Sequence, residues 1–246
     1  MDILKEMEER FGQLVTIIWV FLHKLIPLKL TVAQVQDLIK NKEHPFWIAF
    51  DEATKLLVPL NLDNDTVRQI NGWKTFYKKF FSLDLDMTGV KIPVKVKDFD
   101  RLIIIARGIS INLVYETGKK NFSSWKWCDD DIESQMKNLE RGMVKETYAI
   151  WVRDEQEADR DLLGKSAEDI KNPQNTESLL ERLLHGFKYW SETEKHLDVE
   201  TYTLCASSRC SDGDVPGMHR YCGGDVCVRG CSPQRRGADI GARRAV

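Results

Sequence analysis

The sequence predicts an α+β protein, because its predicted elements run strand, helix, strand, helix and then a series of short strands. Two observations support this order. Residues 101–106 and 148–152 are continuously apolar, as in buried strands, and capping boxes mark helix starts at Thr31 and Ser178. A third observation sets residues 201–246, here called the tail, apart: they contain five of the six cysteines but no Lys, Glu or Trp.

Residues 1–98 are predicted to form a small mixed α/β module of unknown role. The capping box at residues 31–34 begins a helix whose apolar residues continue to Ile39, and residues 46–50 suit a short strand. An aromatic-rich helix is predicted at 66–81, with Val67, Ile70, Trp73 and Phe76 or Phe80 facing a core. Alternating apolar residues predict a strand at 92–96.

Residues 99–246 are predicted to form the second domain. The strand at 101–106 ends at Gly108, and Ser110 caps a helix that runs to about Lys120. A strand at 148–152 and a polar loop at 164–176 follow. The capping box of Ser178 and Glu181 then begins a Leu-rich helix, and residues 201–205 suit a strand.

Composition narrows the possible functions and location. The formal net charge of −2 argues against a nucleic-acid-binding protein, which normally has a basic excess. The apolar run at 14–22 is shorter than the roughly 20 residues that a membrane helix needs. Residues 1–10 are acidic and unlike a secretory signal. We therefore expect a cytoplasmic protein with reduced cysteines, no membrane insertion and no cofactor.

Two tail segments alternate as strands do, so successive side chains point to opposite faces. In one segment, Val226 and Val228 share a face that we expect to point inward, opposite Asp225, Cys227 and Arg229. The other segment places Met218 and Arg220 on one face and Gly217, His219 and Tyr221 on the other. A constant apolar face opposite a miscellaneous outer face is typical of a binding surface on a fixed scaffold.

Several motifs resemble a known family. They are TLCASSR at 203–209, SDGDVP at 211–216, IGARRAV at 240–246, YAIWVRD at 148–154 and KHLD at 195–198. They are similar to the variable proteins that diversity-generating retroelements diversify, and specifically to an uncharacterised group from candidate-phylum bacteria. The resemblance covers roughly residues 100–246.

The resemblance implies a C-type-lectin-like fold of the formylglycine-generating-enzyme type, with a variable region at about 206–240. It implies a hypervariable ligand-binding protein, not an enzyme, that recognises an unknown protein or surface ligand. The implied display positions are Cys210, Gly217, His219, Tyr221, Cys222, Cys227, Arg229, Cys231, Arg235, Gly237 and Ala238.

In such systems adenine positions of a template are randomised, so asparagine codons can become Cys, Gly, Arg or Asp codons but not Lys, Glu, Gln, Met or Trp codons. Between residues 206 and 236, only Met218 and Gln234 fall outside the reachable set. The family pattern commonly has Trp where Arg220 and Gly230 stand. An inward Arg220 would be costly unless it were paired or reached solvent.

The alternative to a hypervariable surface is a zinc-binding interaction module. Cys205, Cys210, Cys222, Cys227 and Cys231, with His219 nearby, could supply a tetrahedral site, although their spacing is irregular. The acidic runs at 129–131 and 155–161 predict a solvated surface, not an acid/base site. His185 is expected at the surface or core edge.

Overall fold

The structure is a computed structural model that describes residues 62–138, 144–221 and 223–246. The elements predicted at 32–39 and 46–50, the apolar run at 14–22 and Cys222 lie outside these residues. The described residues belong to one compact unit, Val58–Val246. They form a mixed α+β structure, as predicted, and contain no helix that is both long and apolar enough to span a bilayer.

The described part of the chain contains three α-helices, four short 3-10 helices and nine strands. The helices are α1 (Asn64–Phe81), α2 (Ile111–Lys119) and α3 (Leu179–Thr193). The strands are β1 (Arg101–Ile105), β2 (Ser124–Lys126), β3 (Met136–Asn138), β4 (Tyr148–Val152), β5 (Tyr202–Leu204), β6 (Arg209–Cys210), β7 (Val215–Arg220), β8 (Val226–Cys231) and β9 (Ile240–Gly241).

The main sheet has five strands in the order β2-β8-β7-β5-β9. Strands β8, β7 and β5 are antiparallel neighbours, whereas β2 lies parallel to β8 and β9 parallel to β5. Two antiparallel pairs, β1-β4 and β3-β6, form separate small sheets. Most of the main sheet is therefore built from the tail.

Helix α1 packs against β1. Asp63 caps the helix by accepting a hydrogen bond from Thr66 N at 2.9 Å. On its buried face, Trp73 Nε1 donates to Leu102 O at 2.8 Å and Tyr77 OH donates to Ile104 O at 2.7 Å. The helix thus shares a core with β1, and the domain boundary predicted between residues 98 and 99 falls inside the compact unit.

The prediction of a strand at 92–96 is wrong. The segment forms no ladder, and Val94 is 88% exposed. Its backbone oxygens are used elsewhere: Trp151 Nε1 donates to Pro93 O at 2.8 Å, and Phe99 N donates to Val96 O at 3.1 Å. An alternating sequence predicts a strand only where a neighbouring strand is free to pair with it.

The elements predicted for residues 101–120 and 148–152 are confirmed. Strands β1 and β4 are almost entirely buried, and Ser110 caps α2 by accepting from Leu113 N. Ser178 and Glu181 form the predicted capping box of α3, whose residues Leu179, Leu184 and Phe187 are buried.

A buried ion network ties α3 to the C-terminal residues. The carboxylate of Asp198 accepts from Arg182 Nη2 and from Arg243 Nη2, both at 2.6 Å, and all three side chains are at most 3% exposed. Burial alone would raise the pKa of Asp198, but the charges of Arg182 and Arg243 outweigh it and hold that pKa below its usual value.

The acidic run at 155–161 is a solvated surface only in part: Glu155 and Asp161 are exposed, as predicted, whereas Glu157 is half-buried and Asp159 is buried. Asp159 is 1% exposed, and its Oδ2 accepts from Arg153 Nη1 at 2.6 Å and from Arg244 N at 2.8 Å. Glu157 accepts from the backbone of residues 199–201. These carboxylates therefore hold the tail against the β4 region.

Candidate ligand-binding surface

The strand register assigns each tail side chain to one face of the main sheet. Directly paired residues share a face, and the pairs Met218↔Val228 and Arg220↔Val226 lie on one side. Met218 is 2% exposed and Val228 is fully buried, and both belong to the core that contains α3. Their predicted inward orientation is confirmed, and we call this side the inner face.

The opposite side of the sheet is closed at one end. There Val215 and Cys231 are paired and buried in a second core with Leu204 and Ile240. Leu162, Ala167 and Ile170, from the loop between β4 and α3, complete this core. Any side chain at this end points into apolar packing, although its strand position alone would place it outward.

The other end of that side is open to solvent. The register aligns Trp125, Cys227, His219 and Tyr202 across four strands, with Tyr221 and Arg229 beside this row. Trp125 is 48% exposed and Tyr221 is 58% exposed. We call the region formed by Trp125, His219, Tyr221, Arg229 and Arg235 the open surface.

Aromatic contacts organise the open surface. The His219 and Tyr202 ring centroids are 5.2 Å apart, and the Arg235 guanidinium lies 5.9 Å from the Tyr202 ring centroid. Tyr202 OH donates to Arg229 O at 3.0 Å. The Tyr202 ring thus forms the floor on which His219 and Arg235 rest.

The open surface carries positive charge. Arg229 and Arg235 are exposed and form no ion pair with a described residue. Burial, followed by the charge of Arg229, lowers the pKa of His219 below its usual value. His219 is therefore neutral near pH 7, and its Nδ1 is buried with no hydrogen-bond partner among the described residues.

The structure divides the predicted display positions into two groups. The accessible ones are His219 and Gly237, which are half-buried, and Tyr221, Arg229, Arg235 and Ala238, which are exposed. The expectation of exposure is wrong for Cys210, Gly217, Cys227 and Cys231, which are all buried. Cys222 lies outside the described residues.

Each inaccessible position is covered for a physical reason. Cys210 joins the main core through β6, which pairs with β3, and Cys231 lies in the second core. Cys227 lies between its neighbours Trp125 and His219 in the aligned row. Gly217 lies under Tyr202, where a Cβ would be 2.3 Å from the ring.

The described cysteines are free thiols, and the zinc alternative has no geometric support among them. No group of three or more His, Cys, Asp or Glu side chains in the described ranges could hold a metal ion. Burial raises the pKa of Cys210 to about 12 and also raises the pKa of Cys231. In the metal-free protein these thiols are therefore protonated near neutral pH.

Sequence reasoning missed Trp125 and Tyr202 as parts of the site. Trp125 lies in a three-residue strand that joins the tail only through its parallel pairing with β8, so local periodicity gave no signal. The alternation of Trp125, Lys126 and Trp127 was the one available indication. Arg220, for which we required a partner or solvent, is half-buried, with Nε 3.5 Å from Gly224 O.

Comparisons with known proteins found no relative: no protein-family model, no curated protein and no solved structure matches the chain.

Proposed function

We propose that this chain is a hypervariable ligand-binding protein, the target of a diversity-generating retroelement, whose residues 99–246 form a C-type-lectin-like domain. The proposed activity is recognition of a protein or surface ligand by the open surface, with no chemical step. The accessible display positions His219, Tyr221, Arg229, Arg235, Gly237 and Ala238 would change between copies while the inner face stays constant.

The observation that carries the proposal is the contrast between the two faces of β7 and β8. On adjacent residues, Val228 is fully buried in the main core whereas Arg229 is exposed. An exposed substitution changes the free energy of unfolding by only about 0.5 kcal/mol in either direction. A surface of this kind can vary between copies while the fold persists.

The open surface also has the chemistry of a recognition site. Trp, Tyr and Arg dominate the binding energy of protein interfaces because they bury large areas and supply directed hydrogen bonds. Trp125, Tyr221 and Arg229 supply these three residue types on one face of the sheet, with Tyr221 and Arg229 on opposite sides of the aligned row. Trp125 precedes the proposed variable region, so it would be a constant anchor beside changing neighbours.

The DNA next to the gene tests this proposal. We expect a near-copy of the 3′ end, beside a reverse-transcriptase gene, that differs from the gene only where the copy carries adenine. The differing codons should include those for residues 219, 221, 229 and 235. Codons 218 and 228 should be identical, and codon 217 should also be constant because Tyr202 leaves no space for a side chain there.

Differences spread over all four nucleotides, or concentrated at the inner-face codons, would contradict the proposal. Metal analysis of the purified protein checks the alternative separately. One equivalent of zinc that is lost on Cys227→Ser would support a zinc-binding interaction module instead.

A further inference from the structure

A cavity of about 20 Å³ lies on the inner side of the sheet, away from the open surface. Helices α2 and α3 and the inner-face residues Met218 and Val226 surround it, and the aromatic residues Tyr115, Phe122 and Phe187 are among those that line it. A cavity needs roughly 10–15 Å³ to hold one water molecule. This cavity therefore has room for a guest about as large as one water molecule or a monatomic ion.

The base of the cavity is formed by Arg182, which is 2% exposed. Two of its nitrogens, Nε and Nη2, donate to Asp198 Oδ2 at 3.0 and 2.6 Å. The third, Nη1, is fully buried and has no acceptor among the described residues. A buried cationic N–H group without an acceptor is unfavourable, so this nitrogen calls for a guest that accepts hydrogen bonds.

Gly186 makes this arrangement possible. It lies one helical turn after Arg182 on α3 and also lines the cavity. A Cβ at this position would be 2.7 Å from Arg182 Nη1, closer than the two atoms can approach. The absence of a side chain at Gly186 therefore lets the guanidinium edge reach the cavity.

A second guanidinium lies near the rim. Arg220 is half-buried, is paired in register with the lining residue Val226, and forms no ion pair with a described residue. Burial, then the charges of Arg220 and Arg182, lower the pKa of the lining residue His196. His196 is thus neutral. The charges nearest Arg182 are Arg220 and the carboxylate of Asp198, which already binds Arg182 and Arg243. On the opposite side, the lining residue Tyr115 lies near Lys126, Glu116 and Asp225.

We propose that this cavity binds one small monovalent anion, with Arg182 Nη1 as its main donor and Arg220 near the entrance. An anion needs only donors and can leave its other sides against apolar walls. A water molecule would also have to find acceptors for its own hydrogens among the few polar side chains that line the cavity, Tyr115, Ser124 and His196. The size of the cavity selects a monatomic halide, chloride or bromide, over carboxylates and phosphate.

Bromide NMR and thermal unfolding of the full chain test this site. In the wild type, the ⁸¹Br line should broaden on adding protein and sharpen again when chloride competes. At constant ionic strength, with gluconate as the balancing bulky anion, chloride at tenfold over its Kd should raise the midpoint of unfolding by about 3 °C or more.

Two variants locate the effect. Gly186→Ala should abolish both the broadening and the midpoint shift, because its Cβ displaces Nη1, whereas Gly72→Ala, another helical glycine away from the cavity, should retain them. Arg220→Gln should weaken bromide binding several-fold. This variant provides the test of the site if Gly186→Ala does not fold. The proposal is overturned if the wild type shows no competable broadening, or if Gly186→Ala responds as the wild type does.

Discussion

Gly217 lies where the ring of Tyr202 crosses β7, and this contact limits which residues the position can hold. A Cβ there would be 2.3 Å from one ring carbon and 2.7 Å from the hydroxyl oxygen. Tyr202 OH is in turn fixed by its hydrogen bond to Arg229 O. Strand alternation correctly assigned Gly217 to the face of His219, but it could not show that an aromatic ring from another strand covers that face.

We predict that Gly217→Ala destabilises the protein by about 1–3 kcal/mol, because the Tyr202 ring must move to admit the methyl group. Urea unfolding of the two proteins measures this difference. Gly230→Ala, in the neighbouring strand, is the control, since its Cβ would lie 3.4 Å from Asp214 Oδ2 and needs no rearrangement. Equal midpoints for the two variants would show that Tyr202 does not restrict the position.

His185 is a second residue that the sequence misplaced. We expected it at the surface or core edge, but it is fully buried, with Nδ1 2.7 Å from Glu177 Oε1. Burial, then the charge of Arg243, holds the pKa of His185 well below its usual value, so the imidazole is neutral in the folded state. A Leu-rich helix shows that one side is buried but not which polar residues the burial includes.

This lowered pKa predicts that the protein becomes less stable as the pH is lowered. His185 binds a proton below a pH of about 6.5 in the unfolded state but not in the folded state. Below that pH, this residue therefore lowers the free energy of unfolding by up to about 1.4 kcal/mol per pH unit. Its contribution to stability is fully present above pH 6.5. His185→Gln, which can still donate to Glu177, should make the decline between pH 6.5 and 5 less steep by about one proton, measured by urea unfolding. An unchanged slope would mean that His185 is protonated in the folded protein.

At the scale of whole elements, local sequence signals identified the helices and the buried strands. The capping residues of α2 and α3 satisfy free backbone donors within the helix, and the apolar runs of β1 and β4 match their burial. Each of these signals lies within one segment. The strand predicted at 92–96 failed because it needed a partner strand, and β2 was missed because its partner is distant in sequence.

The C-terminal residues show how distant motifs form one structural unit. Val246 and Trp151 exchange backbone hydrogen bonds at 2.8 and 3.1 Å, and Arg243 reaches Asp198 and the carbonyl oxygens of Glu155 and Gln156. The motifs YAIWVRD, KHLD and IGARRAV therefore meet in space. Their shared role is to hold residues 243–246 against β4 and the residues that follow it.

We predict that Arg243→Met destabilises the protein by about 3 kcal/mol or more, because it removes one partner of a buried ion pair and leaves the carbonyl oxygen of Glu155 without its donor. Arg244→Met is the matched control. The side chain of Arg244 is 40% exposed and pairs with Asp161, which is 46% exposed, so its loss should cost at most about 1 kcal/mol. Chemical denaturation of both variants measures the difference, and similar losses would contradict a special role for Arg243.

For the whole molecule, the alternation of the tail predicted the inner face but only part of the open surface. Met218 and Val228 point inward as expected, and Tyr221 and Arg229 point outward. Cys231 is buried because the 162–170 loop covers one end of the sheet, and no pattern within the tail indicates that loop. Periodicity gives the face of a side chain, whereas accessibility depends on what the rest of the chain places over that face.

The two faces of β7 and β8 should therefore respond oppositely to the same chemical change. Arg229→Ser and Tyr221→Ser should alter the free energy of unfolding by no more than about 0.5 kcal/mol, since both side chains are exposed. Val228→Ser and Met218→Ser change residues on the inner face of the same two strands. Each should lower the free energy of unfolding by about 2–5 kcal/mol because it leaves a cavity in the main core. Urea unfolding of the four single variants provides the comparison. Only this contrast permits a surface to be rewritten between copies without loss of the fold, so comparable losses on both faces would remove the physical basis of the proposed function.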